Sequence, residues 1–234
     1  MTLSELYLWA DHTERSASAQ MAVDEAAFEA ALSDGITILR LYRWAVPAVT
    51  IGYFDKVSQE EPRPVIRRMT GGGLVEHGCD LTFCLTIPAE VPASQARTEA
   101  RYHWIHESLY RALKAAGLNF DFVAENAGER GPCFSNPVKW DLVDAEGRKR
   151  VGGAQRKSRG AVIHQGSIQL GAGFENSGTF PDWAEEFARN LAREVTPLPD
   201  SKQQGVEAAA AGYDRDKYGL AEWNLDRKFK TRLL

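Results

Sequence analysis

The order of segments along the chain predicts an α+β fold: a mixed β-sheet with helices packed on it. Helix-forming and strand-forming stretches follow one another irregularly, without the steady strand–helix–strand beat of a doubly wound protein. Neither an internal repeat nor a Pro/Gly/Ser linker divides the 234 residues into halves. One domain is expected, with residues from about 205 to 234 as a small terminal helical element and no large C-terminal accessory domain.

Residues 16–32 (SASAQMAVDEAAFEAAL) are rich in helix formers; Ser16 or Ser18 can cap the start, and Asp34-Gly35 can end it. Short β-forming runs follow at 36–42, 48–54, 64–68 and 80–87. Between about Ala96 and Ala116 a second helix is expected. There Tyr102, Ile105, Leu109, Leu113 and Ala116 share one stripe, and Gly117 follows. Residues 139–143 and 149–157 flank Asp144-Ala145-Glu146-Gly147, which reads as a hairpin turn. Residues 161–170 read as the next strand. A helix from Asp182 to Glu194 would align Trp183, Phe187 and Leu191, and 206–226 also reads as helical.

With 44% hydrophobic and 26% charged residues, the chain has enough apolar matter for a core. A net charge of −4, with both signs interspersed, gives no electrostatic reason to bind nucleic acid or an anionic membrane. The first residues lack the basic start and apolar run of a signal peptide, and no stretch approaches the roughly 20 apolar residues of a membrane span. A soluble, cytoplasmic protein is expected. Three cysteines without a secretory signal argue against a disulfide framework. Cys79 and Cys84 point to opposite faces of a strand and make a poor metal pair, so no metal site is expected. Cys133 sits in a loop between Gly131-Pro132 and Pro137.

Three segments carry chemistry. In Arg67-Arg68-Met69-Thr70-Gly71-Gly72-Gly73-Leu74-Val75-Glu76-His77, three side-chain-free residues let a ligand lie against the backbone N–H groups. The two arginines suit a phosphate or carboxylate, and His77 can donate or accept near neutral pH. Taken alone, this is more simply a glycine-rich hairpin with solvated arginines. In the second segment Gly152, Gly153, Ala154 and Gln155 are followed by Arg156, Lys157, Arg159 and His164-Gln165-Gly166. Here too a bulged edge strand is the plainer reading. In the third, Cys133-Phe134 precedes Pro137-Val138-Lys139-Trp140-Asp141-Leu142-Val143. A loop cysteine near cations can carry a lowered pKa and act as a nucleophile.

Together and in this order, the segments resemble the lipoate–protein ligase and octanoyltransferase family, relatives of biotin–protein ligase. Arg67, Arg68, Thr70, Gly71, Gly72, Gly73, Val75 and His77 match its Arg-Arg-x-Ser/Thr-Gly-Gly-Gly/Arg-x-Val-x-His motif. Lys149, Gly152, Ala154 and Gln155 match a Lys-x-x-Gly-Ser-Ala-Gln/Tyr strand, with Gly153 in the Ser place, and His164 with Gly166 stands for a His-Gly pair. Upstream, residues 21–28 and 41–57 resemble the family's first helix and its Trp-x-x-Pro-x-Val-x-Ile/Leu-Gly segment. The likeness runs from about residue 21 to 170.

The resemblance implies the biotin/lipoate ligase-like catalytic domain and an enzyme that attaches an octanoyl or lipoyl group to a lysine of a lipoyl domain. The carriers would be lipoyl domains of 2-oxoacid dehydrogenase complexes or the glycine-cleavage carrier protein. Cys-Phe-x-x-Pro ahead of Asp-Leu-Val looks most like the cysteine-dependent octanoyltransferases. These take the acyl group from acyl carrier protein and need no cofactor. The alternative is a ligase working through lipoyl-AMP with ATP and Mg. Three departures bear on that choice: Arg159 stands in a lysine's place, His164-Gln165-Gly166 replaces Gln-His-Gly, and Gly73 completes a ligase-like triple glycine. Under the first reading Cys133 is the nucleophile and Lys149 or Lys157 polarises the carbonyl. The N–H groups of 71–73 face it, and His77 or His164 takes a proton. An acyl tunnel is expected to use Trp44, Val49, Ile51 and Val75. The remaining alternative is a non-catalytic lipoyl- or biotinyl-binding protein.

Overall fold

A computed structural model of the protein describes residues 1–57, 61, 63–125, 136–169 and 180–227. Leu3–Asp11 forms β1. Ala17–Ser33 forms α1, capped by the Ser16 hydroxyl, which accepts from the Ala19 N–H; Gly35 follows at φ +66°. The next strands are β2 (Ile38–Tyr42), β3 (Ala48–Ile51), β4 (Val65–Arg67), β5 (Val75–His77) and β6 (Leu81–Ile87). A short α2 (Pro92–Gln95) leads into α3 (Thr98–Ala115), and then come β7 (Asp121–Phe122), β8 (Leu142–Val143), β9 (Lys149–Ser158) and β10 (Ala161–Ile168). The chain continues through α4 (Trp183–Leu191), β11 (Ala192–Pro197) and α5 (Asp200–Tyr213). It then passes through a π-helical turn at Asp214–Tyr218 into α6 (Ala221–Asp226).

The main sheet has eight strands in the order β11-β1-β2-β6-β10-β9-β8-β7, with β11, β1 and β2 parallel and the rest antiparallel. A second sheet, β4-β3-β5, is also mixed. The expected mixed sheet with packed helices is what the chain forms. On one face of the main sheet, Leu39, Leu41, Phe83, Leu85 and Val162 pack against Ile105, Leu109 and Leu113 of α3 and Phe187 of α4. On the other face lie α1, α5 and the small sheet, and there α1 is buried almost all round. Among the described residues no helix is long and apolar enough to cross a membrane.

Two elements differ from expectation. The helix expected to reach Glu194 stops at Leu191, because residues 192–197, with Val195, Thr196 and Pro197, extend along β1 as β11. Strand β1 itself shows no polar–apolar alternation: Leu6 and Leu8 pack on one face, Tyr7 and Trp9 on the other. The terminal residues act as a buttress. Lys217 ion-pairs with Glu25 of α1 at 2.6 Å, Tyr218 donates to the same carboxylate, and Trp223 Nε1 donates to the Arg67 carbonyl at 3.0 Å.

Candidate active site

Between the main sheet, α1 and the small sheet lies a narrow cavity. Its floor contains a row of register partners across four strands: Gly152 on β9, Ser167 on β10, Thr82 on β6 and Tyr42 on β2. Ala154 and Gln165 pair beside them. Met21, Trp44, Thr50, Arg68, Val75 and His77 complete the lining.

Much of this wall is polar by residue type, yet its polar atoms are spent on one another. Asp80 accepts from His77 Nδ1 at 2.8 Å, Thr82 Oγ1 at 2.9 Å and Ser167 Oγ at 2.6 Å. Burial pushes the Asp80 carboxyl up, but His77 and the hydrogen bonds from His77, Ser167 and Thr82 outweigh it, so the net pKa is lowered. An ionised Asp80 can only accept, so His77 Nδ1 carries the proton. The Thr50 hydroxyl, 2.7 Å from His77 Nε2, accepts from Arg68 Nη1 at 2.7 Å. Trp44 Nε1 donates to Thr82 at 2.8 Å, and its ring stacks on His77 at 4.0 Å. What remains facing the cavity is largely carbon, which suits an apolar ligand.

The glycine loop rests on the small sheet through close backbone approach. A Cβ on Gly52 would overlap the Gly72 carbonyl, and Gly72 itself sits at φ +84°. Arg68 Nη2 donates to the carbonyls of Gly71 and Gly73, both at 2.9 Å, which fixes the carbonyl side of the loop. Among the described residues the N–H groups of Gly71, Gly72 and Gly73 donate to no protein group. Thr70 donates to Gln165 Oε1 at 2.7 Å, and Gln165 Nε2 donates to Asp24 Oδ2 at 2.7 Å. Asp24 in turn pairs with the fully buried Arg40 at 2.6 Å.

At the β9 end, Lys149 crosses Gly152 so closely that a Cβ there would collide with its ammonium. Its Nζ pairs with Asp141 Oδ2 at 2.7 Å. Asp141 also accepts from the Val138 N–H at 2.7 Å and the Tyr102 hydroxyl at 2.5 Å, while Tyr102 accepts from the Gly153 N–H at 3.0 Å. Cys133 lies outside the described residues; of the strands on either side of it in sequence, β8 pairs with β9 and β7 pairs with β8 at the sheet edge.

Several expected positions are corrected. Arg67 does not reach the cavity. Its guanidinium donates to the carbonyls of Gly52, Tyr53, Asp55, Trp223, Asn224 and Leu225, clamping the small sheet to α6. His164 faces the opposite side of the sheet, against Phe83, Tyr102 and His106, because adjacent strand residues alternate faces. Gln155 shares that face and accepts from Arg101 at 2.7 Å. Lys157 lies near the end of β9 with its ammonium on Gln95 at 2.8 Å, away from the lining. Thr70 acts through Gln165. Gly153 and Gly166 do line the cavity with backbone, as do Gly152 and Ala154. Trp44 and Val75 join the wall as expected, whereas Val49 and Ile51 turn away and Thr50 between them faces in.

The residues missed are Tyr42, Thr50, Asp80, Thr82, Gln165 and Ser167. Strand alternation offered the one available signal: with Val49 and Ile51 apolar, Thr50 had to face the other way.

The chain is thus a layered α+β domain with an apolar cavity beneath a glycine loop and a lysine packed against Gly152 at its β9 side. Its fold matches a lipoate-protein ligase A bound with ATP, with a TM-score of 0.68 at 23% identity over 96% of this chain and 99% of that one. It also matches a bipartite lipoate protein ligase of Thermoplasma acidophilum, with a TM-score of 0.65 at 20% identity over the whole of both. Residues 16–207 match the model of the lipoyl protein ligase A/B catalytic domain, and the chain belongs to that family. It is 33% identical over 232 residues to octanoyltransferase LipM of Kyrpidia tusciae (86% of this chain, 84% of that one). It is 31% identical over 184 residues to octanoyltransferase LipM of Oceanobacillus iheyensis (74% of this chain, 67% of that one). The protein is thus an enzyme of the lipoate ligase and octanoyltransferase class.

Proposed function

We propose that the protein transfers an octanoyl group from acyl carrier protein to a lysine of a lipoyl domain, in the cytoplasm and without a cofactor. The observation that carries this reading is the cavity: it presents carbon along its walls, and Lys149 packs against Gly152, one of its lining residues, in a chain similar to octanoyltransferases. The octanoyl chain lies along the floor with its carbonyl at the β9 end. The Cys133 thiolate attacks that carbonyl and the carrier's thiol leaves; the lipoyl-domain lysine then attacks the enzyme thioester and the Cys133 sulfur departs. Lys149, held by Asp141, polarises the carbonyl, and the N–H groups of Gly71, Gly72 and Gly73 offer donors as charge develops. Lipoyl domains of 2-oxoacid dehydrogenase complexes and the glycine-cleavage carrier protein are the acceptors.

Incubation with octanoyl-acyl carrier protein in the absence of ATP should add an octanoyl mass to the wild type and none to Cys133→Ala. Full activity of Cys133→Ala together with strict ATP dependence would make the protein a ligase.

A further inference from the structure

The N–H groups of the glycine loop are aimed by the carbonyls beside them. In a trans peptide the C=O and the following N–H point opposite ways, so a pinned carbonyl fixes the next N–H. The Thr70 carbonyl accepts from the Tyr53 N–H at 2.8 Å, the Gly71 carbonyl accepts from Arg68 at 2.9 Å, and the Gly72 carbonyl lies against Gly52. These holds turn the N–H groups of Gly71, Gly72 and Gly73 away from their carbonyl contacts. All three come from residues beside β3 and β4. They orient the loop within the small sheet but do not set its height above the main sheet, where Gly152 and Lys149 stand.

Among the described residues, two polar ties from residues 69–73 reach the main sheet. Arg156 of β9 donates to the Met69 carbonyl at 3.1 Å, and the Thr70 hydroxyl donates to Gln165 of β10 at 2.7 Å. The Gln165 amide can lie only one way. Its Nε2 is 2.7 Å from Asp24 Oδ2, which also accepts from Tyr42 at 2.9 Å, while Asp24 Oδ1 takes Arg40 Nη1 at 2.6 Å. A carboxylate placed like this only accepts, so the amide nitrogen faces it and Oε1 faces Thr70. The other N–H of Nε2 reaches Met21 Sδ at 3.5 Å. In register Gln165 pairs with Ala154, the residue that Gly72 approaches, so this tie stands beside the point where the loop meets the floor.

We propose that Gln165, oriented by Asp24, is a positioning residue that holds the Gly71–Gly73 N–H groups at the height where they meet the oxygen of the reacting acyl carbonyl. This rests on reading those N–H groups as donors to the carbonyl, but not on which donor supplies the acyl group. Released from Gln165, the loop stays folded on the small sheet while its N–H groups shift relative to Gly152. A misplacement of about 1 Å at a reacting centre can cost about a hundredfold in rate.

The test measures kcat and KM of the full chain for octanoyl-acyl carrier protein, with an apo lipoyl domain as acceptor and no ATP. Gln165→Leu should lower kcat at least about tenfold and leave KM within about twofold. Gln165→Glu offers a rescue. When protonated, its carboxyl donates to Asp24 and accepts from Thr70 as the amide does. The Asp24 carboxylate raises the pKa of that carboxyl, so kcat relative to wild type should start near the Gln165→Leu value at about pH 8 and climb towards about pH 5.5. Around position 165 stand Asp24, Arg40, Tyr42 and Cys84, with Arg68 and His77 across the cavity. Burial pushes the Tyr42 phenol and the Cys84 thiol up, and the wild type run at each pH cancels what the other groups contribute. Equal loss in both variants at every pH overturns the proposal, as does Gln165→Leu with wild-type kcat. If that variant does not fold, Thr70→Val cuts the same bond from the loop side, and a wild-type kcat there overturns it. A wild type that transfers nothing without ATP removes the transferase reading, and the same ratios measured with octanoate, ATP and Mg then judge Gln165.

Discussion

The two faces of the main sheet handle buried polarity in opposite ways. On the cavity face, Asp11, Arg40, Asp24, Gln165 and Thr70 form an unbroken chain of ion pairs and hydrogen bonds. Burial raises the Asp11 carboxyl, but Arg40 and Arg15 more than reverse it and leave its pKa lowered. On the α3 face two buried histidines are left without such pairing: among the described residues His106 Nε2 and both nitrogens of His164 have no partner. There burial is tolerated by neutrality: desolvation lowers the His106 pKa to about 4, and that of His164 well below its usual value. The cavity face holds its buried charges in one connected network, whereas the α3 face, beside Arg101 and the Lys149–Asp141 pair, keeps its two histidines neutral.

The sharpest way to break this contrast is to remove the charge at the centre of the organised face. Arg40→Met would leave Asp11 and Asp24 buried beside an apolar chain, and a buried pair stripped of one partner costs about 3–5 kcal/mol. Urea denaturation should show that loss. A cost under about 1 kcal/mol would mean the chain of ion pairs does not hold this face together.

The second test titrates the other face. A histidine neutral in the folded state and of ordinary pKa when unfolded binds more protons unfolded, so stability is full above about pH 6.5 and declines as the pH falls towards 4. His106 alone should remove about 3 kcal/mol over that window. His164→Leu, which deletes a group that charges only on unfolding, should flatten the acid limb in melts run from pH 7 to 4. A steeper limb would reverse the argument.

The same contrast explains what could be read from the chain. The glycine loop, α1, α3 and the β8–β9 hairpin around Asp144–Gly147 were legible because composition, caps and stripes are local. Strand β1 was not, since both its faces are covered and no alternation survives. The motif order drew attention to residues 164–166, and there the side chain on the cavity is Gln165 and not His164, a difference of one step along a pleat. Arg67 and Arg68 look equivalent in sequence. Only the tertiary fold, which brings α6 against β4, turns the first into a clamp and leaves the second on the cavity.

That pair supplies a third test, in which neighbours should separate stability from activity. Arg67→Lys replaces five N–H donors with three where six carbonyls converge, and should cost about 2 kcal/mol with the cavity intact. Arg68→Lys loses the fork that grips both Gly71 and Gly73, and should lower octanoyl transfer about tenfold with little change in denaturation midpoint. Equal effects of the two changes on stability would erase the distinction between clamp and site.

The smallest expected effect lies where the two faces meet. Tyr102 rises from α3, yet its hydroxyl holds Asp141, which holds Lys149 against Gly152. Tyr102→Phe leaves the Gly153 N–H without its partner and Asp141 with one donor fewer, a loss of about 1 kcal/mol. If Tyr102 positions the lysine, transfer should fall several-fold through kcat, because the lysine's placement matters as the carbonyl gains charge, while KM for the acyl carrier stays near wild type. If Tyr102 is merely structural, the same stability cost should leave kcat unchanged.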